Sequence, residues 1–283
     1  MSSPSFAVST HLYHDERLGR DQLVEIAAHG FEAIELFANR PHVPYEDERA
    51  VADLEEALAD AGLRLHSIHA PIAEQVRGGR WAGPYSIASA DETARSHAVA
   101  EIEAALAVAR RIPATYLVVH VGVPDGQAPA ASENRPDAAR RSLEALHAAA
   151  EPLGVRLALE VIPNRMSGAD SLVALIEEHL DMPDLGICLD FGHAHLMGDV
   201  VDAVETISGH LVTTHVHDNK GRSDDHLMPF EGSIPWEPTL MALQKIGFEG
   251  TFVFELAASA TPRQTLERAS RVRQRFESML RGS

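Results

Sequence analysis

The chain has 283 residues, enough for one large barrel or two ordinary domains, a formal net charge of -18 and a single cysteine, Cys188. An acidic balance with no clustered basic residues argues against nucleic acid as a partner. One cysteine excludes an intramolecular disulfide framework and fits a reducing compartment. The N-terminal stretch MSSPSFAVSTHLYHDER has no basic segment followed by an apolar one, and no window approaches about 18 uncharged apolar residues, so no signal peptide or membrane span is expected and the chain reads as cytoplasmic.

Along the chain, short β-branched or apolar runs alternate with longer amphipathic ones. The runs predict strands at 6–10, 33–37, 63–69, 116–121, 155–162, 185–190, 211–217 and 251–256. Helices are predicted near 20–29, 46–61, 91–110, 134–152, 168–180, 199–208, 237–246 and 261–281. Within 97–109, for instance, Ala98, Ile102, Ala105, Leu106 and Ala109 recur at the spacing of a helix packed on one face. Gly30, Gly62, Gly154 and Gly250 each stand just before a strand, where a glycine ends the preceding helix. Regular strand–helix alternation implies a parallel sheet with right-handed crossovers, and eight such units match a closed (β/α)8 barrel. An open doubly wound sheet is the alternative, disfavoured because no GxGxxG turn follows the first strand. No composition break marks a linker, so residues 1–283 are read as a single domain. Residues 78–90 and 122–133 are read as long loops.

In such a barrel the active site forms at the C-terminal ends of the strands, and the polar residues concentrate there. The third strand ends in His66 and His69, the fourth in His120, and the fifth carries Glu160. The sixth ends in Asp190 and runs on to His193 and His195. The seventh ends in His215, His217 and Asp218, followed by Asp224 and His226, and the eighth carries Glu255. His215 and His217 share a face, whereas His66 and His69, three apart, face opposite ways in a regular strand. Glu160 lies inside LALEVI and Glu255 inside FVFEL. A carboxylate buried in such a run must be paired, protonated or metal-bound. Two Glu, one Asp and at least one His give a nitrogen/oxygen donor set suited to Mn²⁺, Mg²⁺, Co²⁺ or Zn²⁺, unlike the thiolate-rich structural zinc class. His29, His97, His147 and His179 fall on helices and are read as surface or packing residues. His11, His14, His42 and His210 are left unassigned, although His11 and Glu35 stand where they could line the pocket as substrate contacts; Trp81, Tyr85, Phe37 and Trp236 are either apolar walls for a sugar ring or packing residues between loops.

LALEVIP, CLDFGHAH, HVHDNKGRSDDHLMPFEGSIPW and FVFEL, in this order, resemble the xylose isomerase-like barrel superfamily over about residues 6–258. That superfamily includes sugar-phosphate isomerases and epimerases, ketose 3-epimerases, inosose dehydratases and endonuclease IV-type nucleases. The resemblance implies metal ligands Glu160, Asp190, His215 and Glu255, with the two glutamates also acting as the acid/base pair. It prefers His215 to His217 as ligand, because His-x-x-Asp then matches the nuclease-type pattern. His193 resembles the substrate-contacting histidine of the epimerases. His226 departs from them, standing near where ketose 3-epimerases carry a substrate-holding arginine. The nuclease pattern also reaches His69, His120, His193, Asp224 and His226, so one divalent ion is expected, with a site for up to three.

The reaction implied is isomerisation or epimerisation of a sugar, sugar phosphate or polyol by proton abstraction next to a metal-bound carbonyl. A lyase or dehydratase on the same site, or an endonuclease IV-like zinc phosphodiesterase, are the alternatives. The expected partner is a small-molecule sugar or polyol, not a membrane. Homo-oligomers are compatible with the sequence, although no exposed apolar stripe specifies one.

Overall fold

A computed structural model describes residues 4–77, 80–182, 184–257 and 261–281, apart from the side chains of residues 75–77, 80 and 81. Eight strands close into a parallel barrel: β1 (Ser5–Ser9), β2 (Ala33–Phe37), β3 (Arg64–His69), β6 (Tyr116–His120), β7 (Arg156–Glu160), β8 (Gly186–Asp190), β9 (Leu211–Val216) and β10 (Thr251–Phe254). β4 (Ala73–Arg77) and β5 (Arg80–Pro84) form a separate antiparallel hairpin. Helices α1 (Arg20–Ala28), α2 (Glu48–Ala61), α3 (Glu92–Leu106), α4 (Pro136–Ala150), α5 (Ala169–Ala174), α7 (Val200–Thr206), α8 (Trp236–Lys245) and α9 (Pro262–Arg281) are interleaved with the barrel strands, and a short α6 (Phe191–Met197) follows β8 directly. No helix among the described residues is long and apolar enough to cross a membrane.

Local chemistry explains the elements. α2 starts where the Asp47 side chain accepts from the Arg49 and Ala50 amides, and it stops at Gly62, whose φ of 68° suits a residue without Cβ. Between these caps Val51, Leu54 and Leu58 are buried at helical spacing. The strands alternate: Leu157 and Leu159 join the large outer core under the helices, while Ala158 packs inside the barrel with Val118 and Cys188. Small residues at these interior positions, with Ala7, Ala33 and Val253, leave the axis room for larger polar side chains one layer higher.

Several expectations need correction. Residues 80–84 are a hairpin strand, not loop. The αL glycine before β10 is Gly247, at φ 71°, rather than Gly250. The register slips between Ile34↔Leu65 and Glu35↔Ser67, so His66 is the extra residue of a bulge. That slip breaks the simple alternation, and His66 Nε2 reaches Thr213 Oγ1 on β9 at 3.0 Å while His69 reaches Glu160 on β7; both rings therefore point inward. Trp236 is no pocket wall: it is buried against Phe191 and Phe276, and its Nε1 donates to Asp218 at 2.9 Å. The Trp81 side chain lies outside the described residues.

Candidate metal centre and active site

The polar layer sits at the C-terminal mouth. Glu160, last residue of β7, is fully buried. Its Oε2 accepts from His69 Nε2 at 3.1 Å and His120 Nε2 at 3.0 Å. Its Oε1 lies 3.3 Å from His215 Nδ1 and 3.4 Å from His193 Nδ1. Asp190 ends β8 and caps α6, accepting from the His193 amide at 2.6 Å through Oδ1 and from His217 Nε2 at 2.9 Å through Oδ2. His215 Nδ1 is 3.3 Å from Glu255 Oε2 and 3.8 Å from Asp190 Oδ2. The imidazole and the three carboxylates thus converge on one point.

Donor atoms of Glu160, Asp190, His215 and Glu255 all lie within 4.8 Å of one another. Two further groups adjoin this one: His69 with Glu160 and His215, and His217 with Asp224 and His226. His193 links them, donating from Nε2 to Asp224 Oδ2 at 3.2 Å. The ten residues singled out by sequence therefore occupy one contiguous network, with His215 in the four-donor group and His217 in the neighbouring one.

At His69, His226 and Glu160 burial opposes charge, yet opposite charges prevail. Burial disfavours the His69 imidazolium, but its hydrogen bond to Glu160 and that carboxylate's charge raise its pKa to about 9. His226 is raised to about 10 against the same penalty by Asp224. For Glu160, burial is outweighed by His120 and His215, which hold the carboxyl well below the usual range. All ion-pair partners of Glu160, Asp190 and Glu255 among the described residues are histidines. Removal of their protons would leave three buried carboxylates and several imidazole donors facing each other, a set that fits a divalent cation.

The rim is built by less obvious residues. Asp218 is buried and holds the loop after β9: Oδ1 accepts from the Asn219 and Ile234 amides at 2.9 and 3.1 Å, and Oδ2 from the Phe230 amide and Trp236 Nε1, both at 2.9 Å. A two-bond bridge between Asp218 and Leu227 closes the loop. It folds Asp224 and His226 back over the mouth, with His226 at φ 44°, a conformation that costs energy for a residue other than glycine. Gly192 has no room for a Cβ, which would strike the His217 ring. The sequence places Asp218 at the end of the seventh strand but does not show that it holds the loop, and Gly192 carries no signal of its own. A cavity of about 630 Å³ opens beside His193 and Asp224, walled in part by Asn164, Arg165 and Arg222, and its size suits a small-molecule ligand.

With this geometry in place, similarity to known proteins becomes informative. The profile of the family described as xylose isomerase-like TIM barrel matches residues 23–278. The chain belongs to the xylose isomerase-like TIM barrel family. An uncharacterized protein of Methanocaldococcus jannaschii is 29% identical over 258 residues, covering 88% of this chain and 83% of that protein. Among solved structures of the same fold, a D-tagatose 3-epimerase-like protein superposes with a TM-score of 0.79 at 24% identity, covering 98% of both chains. The IOLI protein, crystallised with a bound zinc atom, superposes with a TM-score of 0.76 at 20% identity, again over 98% of both. This xylose isomerase-like barrel thus shares its whole architecture with them.

Proposed function

We propose that this protein is a divalent-metal-dependent isomerase or epimerase of a sugar or polyol, formed as one domain over residues 1–283. The observation that carries the proposal is the convergence of Glu160 and Glu255, two glutamates from otherwise apolar strands, on the same four-donor point as Asp190 and His215. Glu160, Asp190, His215 and Glu255 would hold the ion. Bound there, a divalent cation supplies Lewis-acid polarisation of a carbonyl and acidifies the adjacent C–H. Glu160 is kept ionised by His120 and His215, the state a general base requires. Glu255, on the strand beyond His215, serves as the second acid/base group and returns a proton to the substrate. His69 and His120 orient the Glu160 carboxylate through Oε2. His193, at the edge of the cavity, contacts substrate hydroxyls.

Solvent deuterium should enter the substrate at the deprotonated carbon. A panel of ketoses, aldoses and cyclic polyol ketones incubated with metal-loaded protein in D₂O tests this, and no exchange in any of them would sink the reading. Expulsion of a neighbouring hydroxyl instead of reprotonation would identify the lyase or dehydratase alternative on the same groups.

A second reading has a specific observation behind it. The His217–Asp224–His226 and His69–Glu160–His215 groups extend the donor set beyond what one ion needs. An endonuclease IV-like zinc phosphodiesterase would use them for up to three ions. The charge of -18 weighs against a DNA partner, and an abasic-site oligonucleotide cleavage assay separates the two.

A further inference from the structure

Glu35 stands directly behind the His215 ring. It lies on β2, inside the barrel, and is fully buried. Its Oε2 accepts from His215 Nε2 at 3.0 Å and from Ser67 Oγ at 2.8 Å. The other oxygen, Oε1, has no hydrogen-bond partner. A buried carboxylate with one oxygen unpartnered is costly, and no arginine or lysine offsets it: its only ion-pair partner among the described residues is His215.

We propose that Glu35 is the positioning residue of the metal site, acting through His215. This rests on the reading above that His215 is a ligand. An imidazole has two nitrogens, and the hydrogen bond at one determines what the other offers. With Nε2–H committed to Glu35, it is the Nδ1 proton that a metal ion would displace, leaving the Nδ1 lone pair aimed at the donor point, where oxygens of Glu160 and Glu255 each lie 3.3 Å away. A flipped ring or the other tautomer would instead aim a proton at the donor point. Ser67, on the adjacent strand β3, holds the Glu35 carboxylate in turn. His69 packs on the other side of the ring, centroids 5.5 Å apart and planes 16° from parallel, so stacking limits tilt but does not choose which nitrogen faces the donors. Glu35 makes that choice. Partners of this kind behind a ligating histidine usually change metal affinity by about 10- to 100-fold when removed.

The test uses the full chain and Co²⁺ or Zn²⁺ alone as probe. Titration calorimetry should show Glu35→Ala binding Co²⁺ about 10- to 100-fold more weakly than the parent. Glu35→Gln, which keeps an acceptor oxygen for Nε2–H, should recover most of that loss. Long-range ¹H–¹⁵N spectra of the zinc-loaded parent, with the His215 signals assigned by their loss in His215→Asn, should show a proton on Nε2 and none on Nδ1. Parent-like Co²⁺ affinity in folded Glu35→Ala would overturn the proposal. So would a proton on Nδ1 in the parent, a result that requires no variant to fold. A parent chain that takes up neither metal would instead remove the ligand reading of His215, and the role of Glu35 with it.

Discussion

On β7, Leu157 and Leu159 point outward into the core beneath the helices, while Ala158 and Glu160 point inward; β10 and the residue that follows it repeat the pattern, with Phe252 and Phe254 against Val253 and Glu255. The outer face of these two strands is aliphatic and aromatic, and its role ends with burial. The inner face changes character along its length, from small residues such as Ala158 and Cys188 to carboxylates and imidazoles at the mouth. The difference is one of tolerance. The outer face gains free energy roughly in proportion to area buried. The inner mouth holds ionised groups out of water and is stable only while each finds an opposite partner. The same strand therefore carries fold on one side and chemistry on the other.

Substitutions on the two faces should separate these roles. The largest expected effect is on chemistry. Glu160→Gln and Glu255→Gln should each lower turnover by about 100- to 10,000-fold, the usual worth of a positioned acid or base, measured as deuterium exchange on whichever sugar the parent accepts; near-parent rates in either would remove that residue from the acid/base pair. On the opposite face, Leu159→Ala should cost about 2–5 kcal/mol of stability, read from denaturant unfolding. The folded fraction should keep its metal affinity, and a selective loss of metal would blur the division between faces.

Gly192→Ala probes where the faces meet. Its methyl would collide with His217, so a destabilisation of about 1–3 kcal/mol is expected, with the His217–Asp190 bond displaced. Unchanged stability and unchanged metal uptake would mean that the α6 turn yields more easily than its packing suggests.

The smallest effect lies outside the barrel. Glu101 of α3 accepts from Arg40 and Tyr45. Burial pushes its carboxyl up, but these bonds outweigh it and hold the pKa below the ordinary value of 4.5. A depressed folded-state pKa gives stability that is present above the unfolded value and is lost as pH falls through the folded one. The Tm gap between parent and Glu101→Gln should therefore be widest at neutral pH and close below pH 4.5, with activity at neutral pH untouched. A gap independent of pH would contradict the assignment.

Much of this was legible from residues because alternation is a strong constraint. A glutamate inside LALEVI or FVFEL has no inexpensive place except the barrel axis, and the eight-fold strand–helix beat fixes which end of the axis is reached. The same signal was present in AIELF, but it does not reveal the partner of Glu35. Local sequence does not show that a ring 180 residues away would cover it. The bulge at His66 escaped for a related reason, since it depends on pairing between β2 and β3 and not on either strand alone. Asp218 works through backbone amides 12 and 16 residues further on, a loop path that no periodicity encodes. The β4–β5 hairpin hid in a glycine- and arginine-bearing stretch without the alternation that marks the barrel strands.

The most direct test of the central claim is metal content per chain, by inductively coupled plasma mass spectrometry on protein purified without chelator, for the parent and for Asp190→Asn. About one Mn, Co, Mg or Zn ion per parent chain is expected, held by three carboxylates and one imidazole, and lost in Asp190→Asn. A parent chain that carries no metal and takes up none on titration would contradict it.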